Sequence, residues 1–214
     1  MTTLAEILIV SIPPAIVYVT YSLFGRLPRQ PAGSVCRAFG AGLLAIIPVI
    51  LISLLIPGPI VGHMPENLAE VGRMFVLTGL TEETAKLTAL AIFAWPPAWS
   101  QSPRHAVTTG SAVGFGFGFA ETILAGAVGS GSVVLRSLLI SPFHALTTAT
   151  LALLFSLRLR FGAAVLVGGL LVLAVVHTGF NLVLLWGSAG IALAAVALPA
   201  WTAFLLRSCV TVKA

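Results

Sequence analysis

Apolar residues gather into seven stretches, at about 4–24, 38–61, 73–98, 107–128, 133–157, 162–186 and 188–207. Each is close to the ~20 residues a helix needs to cross a hydrocarbon core of ~30 Å. The breaks carry turn and interface residues: Arg26 to Pro31, Pro57-Gly58-Pro59, Pro96-Pro97, Gly129-Ser130-Gly131, Arg158-Leu159-Arg160 and Gly187-Ser188. Pro13-Pro14 is expected to kink the first stretch without ending it. Residues Gly110 to Phe119 alternate like a strand, but their glycines recur every four residues inside an apolar stretch. That pattern predicts a helix on which neighbouring backbones close in. The expectation is an all-α polytopic transmembrane helical bundle of about seven spans, forming one integral membrane domain over residues 1–214.

Composition agrees: 58% of residues are hydrophobic and 8% charged, against about a quarter charged in soluble domains. A soluble fold and a disordered chain are both excluded. The formal net charge of +5 does not point to nucleic acid, because the bases are scattered singly at the ends of apolar runs. With the N-terminus outside and the C-terminus cytoplasmic, the inner face collects Arg26, Arg29, Arg37, Arg104, Arg158, Arg160, Arg207 and Lys213. The outer face keeps Arg73 and Arg136, the bias that the positive-inside rule describes. All six acids are Glu, so an aspartyl intramembrane protease is excluded.

Seven polar residues fall where lipid rejects them: Glu82, Glu83 and Lys86 in the third span, Glu121 in the fourth, His144 in the fifth, and His177 and Asn181 in the sixth. A charge near a helix centre costs ~2.5–3.5 kcal/mol on the insertion scale, so these groups must face one another. Glu83 and Lys86 (i, i+3), Glu82 and Lys86 (i, i+4), and His177 and Asn181 (i, i+4) each share a helix face. At 1.5 Å per residue, Glu83 lies ~15 Å below the outer end of its span and Glu121 ~22 Å above the inner end of its own. His144 and His177 reach the same layer, between the midplane and the outer leaflet. The residues therefore predict one site, with its core at about 73–186.

Three carboxylates against Lys86 leave an excess of negative charge. Either one carboxylate keeps its proton or a divalent cation completes the site. Two histidines and a glutamate, His144, His177 and Glu121, make a possible zinc set; a metal-free glutamate mechanism fits the residues equally well.

The series Thr81-Glu82-Glu83-Thr84-Ala85-Lys86, Phe117-Gly118-Phe119-Ala120-Glu121, Pro142-Phe143-His144-Ala145 and His177-Thr178-Gly179-Phe180-Asn181 resembles the PrsW family of intramembrane proteases. More distantly it is similar to the type II CAAX prenyl endopeptidases, whose second motif carries His where this chain has Glu121. The chain departs from the first family in having Thr122 after Glu121, where Asn is common, and in lacking a glycine after His144. The resemblance implies an integral protein of the bacterial cytoplasmic membrane that hydrolyses a peptide bond of a single-pass partner near the outer leaflet, as in the processing of an anti-sigma factor. It implies Glu82 or Glu83 as general base, with His144 and Glu121 orienting the water or a metal. His177 and Asn181 would donate to the oxyanion, and Lys86 would hold one carboxylate ionised.

Other readings use the same residues. Buried Glu, Lys and His also build the ion pathways of a proton- or cation-coupled transporter, and a glycine-rich fourth span suits a non-catalytic helix-binding scaffold. The sequence contains neither HExxH nor GxSxG. Phe115, Phe117 and Phe119 are read as packing or lipid-facing residues, and Arg136 as an outer-interface anchor.

Overall fold

The computed structural model describes residues 31–56, 64–94, 102–127 and 133–211. The first apolar stretch and its Pro13-Pro14 lie outside them. The described residues form helices and connecting turns, with no strand among them. Helix α1 is Ala32–Leu55. Helix α2 runs without a break over 68–94, with wide π turns at Phe75–Leu80 and Leu90–Ala94. Then come α3 (Pro103–Ala127), α4 (Val133–Phe161), α5 (Ala163–Leu184) and α6 (Ser188–Thr211).

The helix ends have local causes. Ile56, which precedes Pro57, is already extended (φ −115°, ψ 96°), as the proline ring requires of its neighbour. At the start of α2 the Asn67 side chain accepts from the Glu70 backbone N–H, while Glu70 reaches back to the Glu66 N–H, a reciprocal cap. Gly162 and Gly187 (φ +83° and +66°) make the tight breaks on either side of α5. Several helices outrun the apolar stretches: α3 takes in Arg104 and His105, α4 takes in Arg158 and Arg160, and α6 passes Arg207. Hydropathy marks the part of a helix that suits lipid, whereas backbone hydrogen bonding continues into its polar flanks.

Among the described residues, four helical segments are long and apolar enough to cross a membrane: Ala32–Leu55, Val134–Arg158, Ala163–Leu184 and Ser188–Leu205. The surface is apolar outward. Leu44, Leu51, Val172, Val175, Val196 and Phe204 are all exposed, a pattern suited to lipid and a liability in water. Polar side chains are turned inward, with Glu83, Lys86, Thr122, His144 and Thr147 fully or almost fully buried.

Helix α4 is the centre of the bundle; 67% of its apolar stretch is buried, against 22–28% for the other three candidates. Its most extensive partner is α3, and the glycine series explains why. A Cβ on Gly110, Gly114 or Gly118 would stand 2.5 Å from the Thr148 carbonyl oxygen, 2.2 Å from the His144 carbonyl oxygen and 2.8 Å from Ser141 Cα. On the opposite side of α3, a Cβ on Gly116 would come within 2.0 Å of the Phe39 carbonyl oxygen of α1. The predicted helix with close backbone approach is what forms. Where α2 meets α5 the same device recurs at Gly79, whose Cβ would stand 2.4 Å from the Ala174 carbonyl oxygen.

Two apolar clusters result. Small residues of α1, α2 and α3, such as Ala38, Ala41, Ala85 and Ala112, form one. Larger residues of α4 and α6, such as Leu139, Phe143, Leu146 and Leu198, dominate the other. Gly114→Ala should force α3 from α4 and cost about 1–3 kcal/mol. Gly40→Ala, at a position with nothing within 4 Å of the added methyl, should stay within about 0.5 kcal/mol. Unfolding in mixed detergent micelles measures both; equal effects would contradict the packing described.

Candidate active site

The polar residues of α2 to α5 meet between the two apolar clusters. Glu82 and Glu83 open the segment after the first π turn of α2, where the Thr81 hydroxyl reaches back five residues to the Val76 carbonyl. Such widened turns occur often at functional sites. Gly79 and Glu83 are four residues apart, so the face that lets α5 approach also carries Glu83 to His177.

Lys86 occupies the middle. Its ammonium donates to Glu83 Oε1 (2.6 Å), His144 Nδ1 (3.1 Å) and Thr147 Oγ1 (3.2 Å). An ammonium has three N–H groups and no acceptor, so all three are used. The Phe117 ring lies beneath it, 5.1 Å away. Glu83 Oε1 also receives His177 Nδ1–H at 2.7 Å. On the far side of His144, Nε2 lies 2.6 Å from Glu121 Oε2, and Arg136 bonds Glu121 Oε1.

These bonds settle the tautomers of the neutral rings. His144 Nδ1 accepts from Lys86, so its proton is on Nε2 and is given to Glu121. His177 gives its Nδ1 proton to Glu83, so the Nε2 lone pair is turned toward Glu82 Oε2, 3.6 Å away. That oxygen and Glu83 Oε2 are buried without a hydrogen-bond partner among the described residues. Glu82 differs from Glu83 in access: its side chain is 12% exposed, that of Glu83 0%. Around the rings, Phe143 stacks on Phe180 (3.8 Å between centroids) and meets His177 edge-on, which restricts ring rotation.

Five of the seven residues expected together are joined by these hydrogen bonds, Glu83, Lys86, Glu121, His144 and His177, and Glu82 lies beside them, its Oε2 3.6 Å from His177 Nε2. Asn181 is on the same helix as His177 but half-buried, and its side chain makes no hydrogen bond with the described residues. The ion pair with Glu121 was not foreseen for Arg136, read as an outer-interface anchor, and it reduces the charge excess to one. Phe117 packs in the core as expected, and it also supports both Lys86 and the His144 ring. Thr147 was also missed. The signal for it and Arg136 was present, because residues 136, 140, 144 and 147 are spaced by four, four and three along one face of α4.

A model of the PrsW family of intramembrane metalloproteases matches residues 30–206. The chain belongs to the PrsW family. No curated protein and no solved structure matches it.

A PrsW-family metalloprotease implies a metal, and the side chains present test that implication. Ligand atoms of Glu82, His144 and His177 lie within 4.8 Å of one another. The carboxylate in the group is therefore Glu82, not the expected Glu121, which pairs instead with His144 and Arg136. Two imidazoles and a carboxylate fit a catalytic zinc set, and each imidazole is backed by a second carboxylate, as metal-bound histidines usually are. Glu82 Oε2 and His177 Nε2 have lone pairs to give. The His144 Nδ1 lone pair is taken by the Lys86 ammonium, so an ion there competes with an internal cation. The donor set fits.

Lys86→Met would leave Glu83 buried without its cation, and should destabilise the PrsW chain by about 3–5 kcal/mol. Adding Glu83→Gln should restore part of that loss, with a coupling of about 0.5–3 kcal/mol. A double-mutant cycle on unfolding in detergent measures it, and strict additivity would mean that the pair is not coupled.

Proposed function

We propose that this chain is an intramembrane endopeptidase, hydrolysing a peptide bond of a single-pass membrane protein near the outer leaflet. Anti-sigma factors are the substrate class that the family resemblance suggests. The observation that carries the reading is the Glu82 carboxylate: its Oε2 is buried with no hydrogen-bond partner among the described residues, close to two oriented histidines, and its side chain is the partly exposed one of the glutamate pair.

In this reading Glu82 accepts a proton from the attacking water and returns it to the leaving amine. Glu83 does not react. Bound to Lys86 and His177, it holds the His177 ring with its Nε2 lone pair toward Glu82. In that tautomer His177 accepts and cannot donate to an oxyanion, a revision of the role expected from the motif. The Asn181 amide would donate to the tetrahedral oxygen. As an alternative to that metal-free proton transfer, Glu82, His144 and His177 would hold an ion, which would act as a Lewis acid that polarises the scissile carbonyl and acidifies water.

Glu82→Gln should reduce cleavage of a single-pass substrate by about 10²–10⁴-fold in proteoliposomes, while Glu66→Gln in the α1–α2 connection leaves it unchanged. Cleavage that survives Glu82→Gln would end the glutamate mechanism, and Glu-dependent ion flux without proteolysis would favour a transporter. The proposed orientation, N-terminus out and C-terminus in, has its own check. In a protein whose native cysteines are replaced by serine, Trp186→Cys should react with an impermeant thiol reagent from outside. Phe161→Cys, at the end of α4 and two residues before α5 begins, should react from inside. The reverse pattern would invert the topology.

A further inference from the structure

Arg136 belongs to none of the sequence motifs, yet it ends a hydrogen-bonded series that runs through the whole site. Arg136 donates to Glu121, which accepts from His144 Nε2–H; His144 Nδ1 accepts from Lys86; Lys86 donates to Glu83, which accepts from His177 Nδ1–H. The polarity of the series is forced. Guanidinium and ammonium can only donate, ionised carboxylates can only accept, and each neutral imidazole can do one of each.

We propose that Arg136 is a positioning residue, which acts through Glu121 to hold His144 with its proton on Nε2 and its Nδ1 lone pair directed into the site. Glu121 and Arg136 are the exposed end of the series, at 28% and 20% of their side chains, whereas His144 is 1% exposed. A carboxylate so placed has solvated orientations open to it. The Arg136 bond to Oε1 removes them and leaves Oε2 directed at the ring. The guanidinium suits the task because its planar donors are fixed relative to one another. Its Nε–H is buried and has no hydrogen-bond partner among the described residues. Thr147 and Thr148 both donate to the His144 carbonyl and Phe117 and Phe143 pack on the ring, so the backbone and the ring plane have their own support and the series sets which nitrogen carries the proton.

The kinetic test rests on the proteolytic reading; the spectroscopic one does not. Arg136→Gln should lower kcat by about 10–100-fold, the usual effect of losing a partner behind a reacting histidine, with KM unchanged. Arg136→Lys, which can still donate to Glu121, should recover most of the loss. Nitrogen-15 spectra of histidine-labelled protein should show His144 protonated on Nε2 in the native chain, and a mixture of both tautomers in Arg136→Gln. Native-like kcat in Arg136→Gln, a loss confined to KM, or no recovery with Lys would overturn the proposal. Should the variants fail to fold, a native His144 protonated on Nδ1 would overturn it alone. If the native chain cleaves nothing, the proteolytic reading fails, while the tautomer result still decides the role of Arg136.

Discussion

A primary ammonium enclosed by apolar helices cannot leave an N–H unused, and the bundle is organised around that constraint. Lys86 finds one acceptor on its own helix, Glu83, and two on α4, His144 and Thr147. Glu83 then takes His177 from α5, and His144 reaches Glu121 on α3. One buried cation thus ties together the four helices that carry the site. In lipid the hydrophobic effect does not press helices together, so such bonds carry weight that apolar burial would carry in water.

Close backbone contact does the rest. Gly110, Gly114 and Gly118 bring α3 against α4, and Gly79 brings α2 against α5. These are the two helix pairs across which side chains as short as Glu121 and His144, or Glu83 and His177, must meet. A wider spacing would leave each pair bridged by water or not at all. Glycine packing and polar bonding are therefore one design. The glycines set the distance, and the charged groups supply the reason that distance is needed.

The site is closed at its centre and open at its ends. Lys86 and Glu83 are wholly buried and satisfied on the side they share, while Glu82, Glu121 and Arg136 keep partial access. Such a division suits chemistry that needs fixed dipoles around a carboxylate which can exchange a proton. It also explains why two adjacent glutamates are not equivalent. Consecutive residues on a helix point ~100° apart, so Glu83 faces Lys86 and His177 while Glu82 faces the opening.

The residues themselves determined the helical class, the membrane setting and the gathering of polar groups from α2 to α5. Lipid tolerates neither unpaired backbone nor lone charge, so an apolar chain with charges inside its spans has few ways to fold. The glycine repeat of α3 and the shared face of Glu83 and Lys86 were legible for the same reason, since both follow from helical period. Partner choice was not. Whether Glu121 or Glu82 joined the two histidines, which imidazole nitrogen kept the proton, and that Arg136 turned inward to Glu121 depended on helix rotation and spacing, set jointly by all the contacts. Tertiary structure decided these points because several acceptors lay within reach of each donor, and only the packed geometry selected one.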